Sequence, residues 1–285
     1  MMKNDPLQRL GVIEPDELTG SRLQAHYAVQ WLSRAARSFV EPSDDDSHTS
    51  LFWIPQIKSF ASQKLPTGWT FGLELQELAL FVSDPDGGRN TLLLDGMTED
   101  DTSYWVYKRI EEMGFDPYSL ERALPYDLPA HPLACEGAYE TIDAGLTLCV
   151  LARWFCAAHG ILSQISDIYA SLSPGVSPIR CWPHHFDLAI LIRLDNRHSE
   201  NARSIGVGLS PGDEHYDEPY FYVSPRPQLD IGRLRKLPDI GHWHTEGFVA
   251  AIVPASRIID AEIQGAELLA FLRNAIEFGR MSLAA

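Results

Sequence analysis

The sequence predicts an α+β protein, with antiparallel sheets and helices packed on one side. Three observations point there: extended segments come in runs rather than alternating with helices, Asp84-Pro85-Asp86-Gly87-Gly88 supplies hairpin turn chemistry, and helical periodicity opens and closes the chain. With 285 residues, 45% of them hydrophobic and 22% charged, the chain can bury a full core, so a wholly disordered protein is excluded. Against 23 Lys plus Arg stand 39 Asp plus Glu, a formal charge of −16. Such a surface repels phosphate backbones and anionic lipid, so no nucleic-acid partner and no membrane partner are expected.

From Leu18 to Phe39, Leu23, Tyr27, Trp31, Leu32 and Ala35 recur at helical spacing and predict an amphipathic helix. Residues 41–50 carry Pro42 and the acid run Asp44-Asp45-Asp46, and read as a solvated loop. Leu51 to Ile57, Thr70 to Val82 and Thr91 to Leu94 look extended. Acids at Glu99, Asp100 and Asp101 suit the start of a helix that runs through Met113 to a stop at Gly114. Three prolines between Leu124 and Gly137 end the helical pattern and suggest three regions: 1–123, a Pro-rich connection at 124–137, and 138–285. Tyr139 to His159 predicts a core helix with a stop or kink at Gly160 and a continuation to Ser171. Extended segments follow at 179–194, 204–209, 220–224 and 248–253, before a last helix over 261–278. Each half thus runs helix, strands, helix, an order that a degenerate internal duplication would produce.

No apolar stretch follows Lys3, so no signal peptide is expected and the location reads as cytoplasmic. Cys135, Cys149, Cys156 and Cys181 lack C-x-x-C spacing and read as reduced, buried thiols.

Polar chemistry gathers in the second half. If 181–193 is one strand, period-two alternation puts His185 and Asp187 on one face, as an acid/base pair or two metal ligands. The loop from Ser210 to Pro219 holds Asp213, Glu214, His215, Asp217 and Glu218, a plausible cation site or a solvated acidic turn. Beyond it, Tyr220 and Tyr222 share a face that could line a pocket. His242-Trp243-His244 would turn two imidazoles to one side if extended, although its spacing to Glu246 does not fit a cupin metal site. Gly208-Leu209-Ser210-Pro211-Gly212 matches the nucleophile elbow in letters only: Pro211 has no N–H for an oxyanion hole, and no helix follows.

Trp182-Pro183-His184-His185-Phe186-Asp187-Leu188-Ala189, Ser210-Pro211-Gly212-Asp213 and Glu218-Pro219-Tyr220-Phe221-Tyr222-Val223 resemble a bacterial family with W-P-x-H-F-D-L-A, S-P-G-D and E-P-Y-x-Y-V motifs and no assigned function. The blocks cover roughly residues 179–226. The resemblance marks Trp182, His185, Asp187, Asp213, Glu218, Tyr220 and Tyr222, and implies neither reaction nor cofactor.

Three functional readings stay open. The first is a small-molecule pocket in the C-terminal half, with Trp182, Asp213, Tyr220 and Tyr222 binding the ligand. The second is a hydrolase or lyase in which His185, Asp187 and His215 hold a divalent metal such as Zn and Glu214 or Glu218 acts as base. The third is an interaction module with an aromatic surface at Trp182 and Tyr220 to Tyr222. A homodimer is compatible with the sequence and not decided by it. Against all three stands a plain structural role, in which the aromatics fill the core and His185 with Asp187 fixes a strand edge.

Overall fold

The computed structural model describes residues 10–120, 123–197, 202–260 and 265–284. It is an α+β protein with two antiparallel sheets, and the chain forms two compact units. The N-terminal unit comprises Leu18–Ala152 with Arg180–Phe186; the C-terminal unit comprises Met1–Glu17, Arg153–Ile179 and Asp187–Ala285.

In the N-terminal unit, helix α1 (Thr19–Phe39) buries Tyr27, Trp31, Leu32 and Ala35, as their spacing requires. A meander follows in sequence order: β1 (Phe52–Ile54), β2 (Ser59–Ala61), β3 (Thr70–Glu74), β4 (Ala79–Ser83) and β5 (Arg89–Leu93). The apolar run 70–82, expected as one extended segment, folds back on itself: Glu74 pairs with Ala79, and Leu78 takes a left-handed φ of 44° in the turn. Helix α2 (Glu99–Glu112) begins at a capping box, in which the Thr98 hydroxyl accepts from Asp101 N–H while Asp101 accepts from Thr98 N–H.

The Pro-rich stretch is not a boundary. Tyr27 donates to the Pro129 carbonyl at 2.8 Å, Tyr126 donates to Gln30 at 2.8 Å, and Leu133 is buried, all within the N-terminal unit. Prolines stop a helix there, but hydrogen bonds to α1 hold the segment down. The units part instead inside helix α3 (Gly145–Tyr169), which passes through Gly160 without the expected stop. Helix α3 is long and apolar enough to cross a membrane by length and composition alone, and 56% of its apolar window is buried within the protein.

Two short strands come next: β6 (Gly175–Val176), in the C-terminal unit, and β7 (Arg180–Trp182), in the N-terminal one. The C-terminal unit then adds β8 (Asp187–Arg193), β9 (Ser204–Ser210), β10 (Tyr220–Arg226), β11 (His242–His244) and β12 (Ala250–Pro254), followed by helices α4 (Ala255–Asp260) and α5 (Gly265–Ala284). Its sheet runs β11-β12-β10-β9-β8-β6, an order unlike the sequential meander of the first sheet, so the likeness of the two halves stops at element order. The expected start of the last helix, at 261–264, and the opening residues 1–9 lie outside the described residues.

Register sorts the C-terminal sheet into two faces. Ile205 pairs with Pro225, Val207 with Val223 and Leu209 with Phe221. Helix α5 packs on this apolar face of β9 and β10, close enough at Gly279 that an added Cβ would lie 3.1 Å from Ile205. The opposite face carries Asp187 and Ala189 on β8, Ser210 and Gly208 on β9, Tyr220 and Tyr222 on β10, Ile252 on β12 and His242 on β11. One strand period thus separates a helix-packed core from a face rich in phenols, imidazoles and carboxylate.

Candidate functional site

The polar face is organised by three tyrosines. Tyr222 donates its hydroxyl to Asp187, a buried carboxylate one strand beyond the neighbouring β9. Gly208 makes that reach feasible: a Cβ there would sit 2.7 Å from the Tyr222 oxygen and 2.7 Å from the Leu188 carbonyl. Tyr220 donates to Asp213 at 2.5 Å. The other Asp213 oxygen accepts from the backbone N–H groups of His215 and Tyr216 at 2.8 and 3.1 Å, which fixes the loop over the sheet. Burial first, and the facing carboxylate second, push both phenols far above the usual tyrosine range. They therefore stay protonated and act as donors.

Tyr216, carried by the same loop, meets the edge strand. Its oxygen lies 2.9 Å from His242 Nε2 and 3.1 Å from His244 Nδ1, while His244 Nε2 lies 2.7 Å from the Glu246 carbonyl. The carbonyl can only accept, so His244 carries its proton on Nε2, and a neutral His244 offers a bare Nδ1 to the Tyr216 O–H. The Tyr216 oxygen then accepts from His242 Nε2–H. Partial burial, with His244 beside it, lowers the His242 pKa. Around this chain, His244 stacks on Phe248 at 4.1 Å, His215 meets His244 at 5.0 Å, and Tyr216 meets Tyr220 at 4.8 Å.

The arrangement can move a proton with every atom accounted for. A proton taken up at His242 Nδ1 releases the Nε2 proton to the phenol oxygen, and the phenol passes its own proton to His244 Nδ1. The positive charge leaves His242 and arrives on His244, two hops away.

Several expected roles change. Residues 183–186 form a turn between β7 and β8, not a strand: both His185 N–H and Phe186 N–H donate to the Trp182 carbonyl, and Phe186 has a left-handed φ of 57°. The parity that put His185 beside Asp187 is lost, and the two residues belong to different units. His185 is exposed against His184 at 4.2 Å, and Trp182 is half-buried in the N-terminal unit. Among the described residues, no three His, Cys, Asp or Glu side chains are grouped as a metal ion requires, so His185, Asp187 and His215 form no such set. Glu214 is exposed at 87% and only 3.5 Å from His215. Glu218 accepts from Ser256 N–H at 2.5 Å and from Ser256 O–H at 2.9 Å, which holds the start of α4. The aromatic-surface reading needs Trp182, Tyr220 and Tyr222 exposed together, yet Tyr220 is buried and the other two half-buried. Ser210 ends β9 and accepts from Gly212 N–H at 3.2 Å with no helix after it, as Pro211 already indicated. None of the four cysteines forms a disulfide, but only Cys181 is buried, and Cys135 is exposed.

Sequence reasoning singled out Asp187, Asp213, Tyr220, Tyr222 and the H-x-H pair, but missed Tyr216. Its signal was available: a phenol in the middle of the acidic loop, too large and apolar for a purely solvated turn. The motif around Pro183 has a structural role. Its carbonyl accepts from His26 Nε2 at 2.8 Å and from Gln30 Nε2 at 2.9 Å, and His26 stacks on Phe186 at 5.4 Å. Burial holds the His26 pKa down at about 4. Comparison with protein-family models, curated proteins and solved structures gave no match.

Proposed function

We propose that the C-terminal unit binds a small planar molecule with an acidic or hydrogen-bonding edge, at the phenol–imidazole cluster of Tyr216, His242 and His244. The observation that carries this reading is the hydrogen-bond chain from His242 Nε2 through Tyr216 to His244 Nδ1, anchored on the Glu246 carbonyl. Such a chain can relay a proton between two imidazoles and so give one to, or take one from, a ligand. His215, Phe248 and Tyr216 supply ring faces for a flat partner. Asp213, Tyr220 and Tyr222 serve this site as positioning residues: they fix the loop and the strand that present Tyr216.

The test uses 4-nitrophenol, a planar weak acid whose ionisation is visible in its absorbance. Wild-type protein is expected to give a saturable shift toward phenolate, and His242→Ala to lose it while remaining folded. No saturable shift in the wild type, or an equal one in His242→Ala, would refute the reading.

A second reading has one observation of its own. His244 sends its second nitrogen to a backbone carbonyl, as metal-bound imidazoles do, and His242 Nε2 points to the same phenol oxygen. In this reading a divalent metal such as Zn would be held by His242 Nε2, with its proton moved to Nδ1, by His244 Nδ1 and by the Tyr216 oxygen, whose proton would pass to solvent. Elemental analysis of tag-free protein beside His244→Ala tests it: near-stoichiometric metal lost in the variant supports it, and metal-free wild type rejects it.

A further inference from the structure

The edge strand that turns His242 and His244 toward the polar face turns Trp243 to the opposite one. There it borders an open cleft of about 500 Å³, also lined by Arg235, Lys236, Asp239, Asn274 and Phe278. That volume lies within the range of small-ligand sites. Its walls are fixed in place. Trp243 Nε1–H donates to the Arg235 carbonyl at 2.7 Å, the indole meets Phe278 edge-on at 5.7 Å, and Arg257 holds the Asp239 carbonyl at 2.8 Å.

The polar groups around the cleft are unequal in what they already do. Lys236 pairs with Asp239 at 3.2 Å. Arg235 is different: its guanidinium lies 5.5 Å over the Phe278 ring, and among the described residues no carboxylate is within ion-pair reach of it. Asn274 is exposed on α5, with no hydrogen bond to its amide among the described residues. A planar fork of donors and a carboxamide therefore border an aromatic wall with their hydrogen-bonding capacity unspent. The charge setting sharpens the choice. In a chain of net charge −16, the charges lining the cleft are Arg235, Lys236 and Asp239, and with Lys236 and Asp239 paired the balance is one positive charge, on Arg235. Arg235 gives an anion a local attraction within a chain whose net charge opposes it.

We propose that this cleft binds an aromatic carboxylate: the ring packs on Trp243 and Phe278, the carboxylate takes the Arg235 guanidinium in a two-pronged contact, and Asn274 donates a further hydrogen bond. Arginine suits this geometry because its fork matches a carboxylate and its plane stacks on rings. The site is distinct from the phenol–imidazole cluster and does not depend on it.

The experiment follows the indole N–H signal of Trp243 by NMR while benzoate, benzamide or acetate is added to the full chain. Benzoate is expected to shift it saturably with a Kd of about 1 mM, as a ligand of its size allows. Benzamide keeps the ring without the charge, acetate the charge without the ring, and each is expected to bind at least ~10-fold more weakly. Arg235→Ala, and Asn274→Asp, which sets a carboxylate against the ligand, are each expected to weaken benzoate at least ~10-fold, with the remaining indole signals in place. Absence of a saturable benzoate shift, benzamide binding as tightly as benzoate, or unchanged affinity in Arg235→Ala would overturn the proposal.

Discussion

The two units treat their interior polar groups in opposite ways. In the N-terminal unit, the buried His26 and Gln30 end on one fixed partner, both donating to the Pro183 carbonyl. Glu99 takes the Tyr139 hydroxyl at 2.7 Å while Arg34 stands 3.5 Å away to balance its charge. Each proton there has one place to be. On the C-terminal sheet the Tyr216 phenol lies between two imidazoles, so its protons lie between side chains able to exchange them. The difference separates polar groups that hold a fold from polar groups that can work on a ligand.

The largest expected effects probe the frame on each side. Gly208→Ala should cost about 3 kcal/mol by chemical denaturation, because its Cβ would meet the Leu188 carbonyl as well as the Tyr222 phenol, each at 2.7 Å. An unchanged midpoint would mean that Tyr222 does not need the gap. In the N-terminal unit, His26 is neutral in the fold down to about pH 4, against an ordinary value of 6.5. Between those values the unfolded chain takes up a proton that the folded chain refuses. The His26 contribution should therefore lower stability by about 3 kcal/mol as pH drops through this window, with His184, also held down at about 4 by partial burial, adding to the fall. His26→Gln should make that slope shallower by the His26 share, and a slope identical to wild type would assign the acid sensitivity elsewhere.

Smaller effects follow. Tyr222→Phe removes the phenol from a buried carboxylate and should cost about 2 kcal/mol, whereas Glu218→Gln weakens only the start of α4, by about 1 kcal/mol. The ranking in urea denaturation is the check: equal losses would contradict the contrast between a buried partner and a helix-start contact. Tyr216→Phe should change stability by less than about 0.5 kcal/mol, since its hydroxyl bonds half-exposed imidazoles.

What could be read from the sequence follows physical range. Periodicity found α1, α2 and the strands β9, β10 and β12 to within a few residues, because each buries one face and the pattern of burial is local. The turn at 183–186 could not be read that way. Its cause is nonlocal: α1 captures the Pro183 carbonyl from a distance of more than 150 residues, which pulls 180–186 into the N-terminal unit and breaks the strand at Phe186. The same break removed His185 from the expected pair with Asp187. Tyr220 and Tyr222 were found because strand parity is enough to place them, whereas Tyr216 required knowing that the acidic loop folds back over β11. Likewise, the Pro-rich 124–137 stretch carried every compositional mark of a linker and lacked only the hydrogen bonds to α1 that make it part of a unit.

The most direct test of the phenol–imidazole cluster is the tautomeric state of its two histidines, read from ring nitrogen shifts in wild type and Tyr216→Phe. The structure requires the Nε2–H form at both His242 and His244 in the neutral wild type. In the variant, His244 keeps its form on the Glu246 carbonyl, while His242, without the phenol oxygen, becomes a mixture. An Nδ1–H form at His242 in the wild type, or a His242 that does not respond to the loss of the hydroxyl, would contradict the chain on which the functional reading rests.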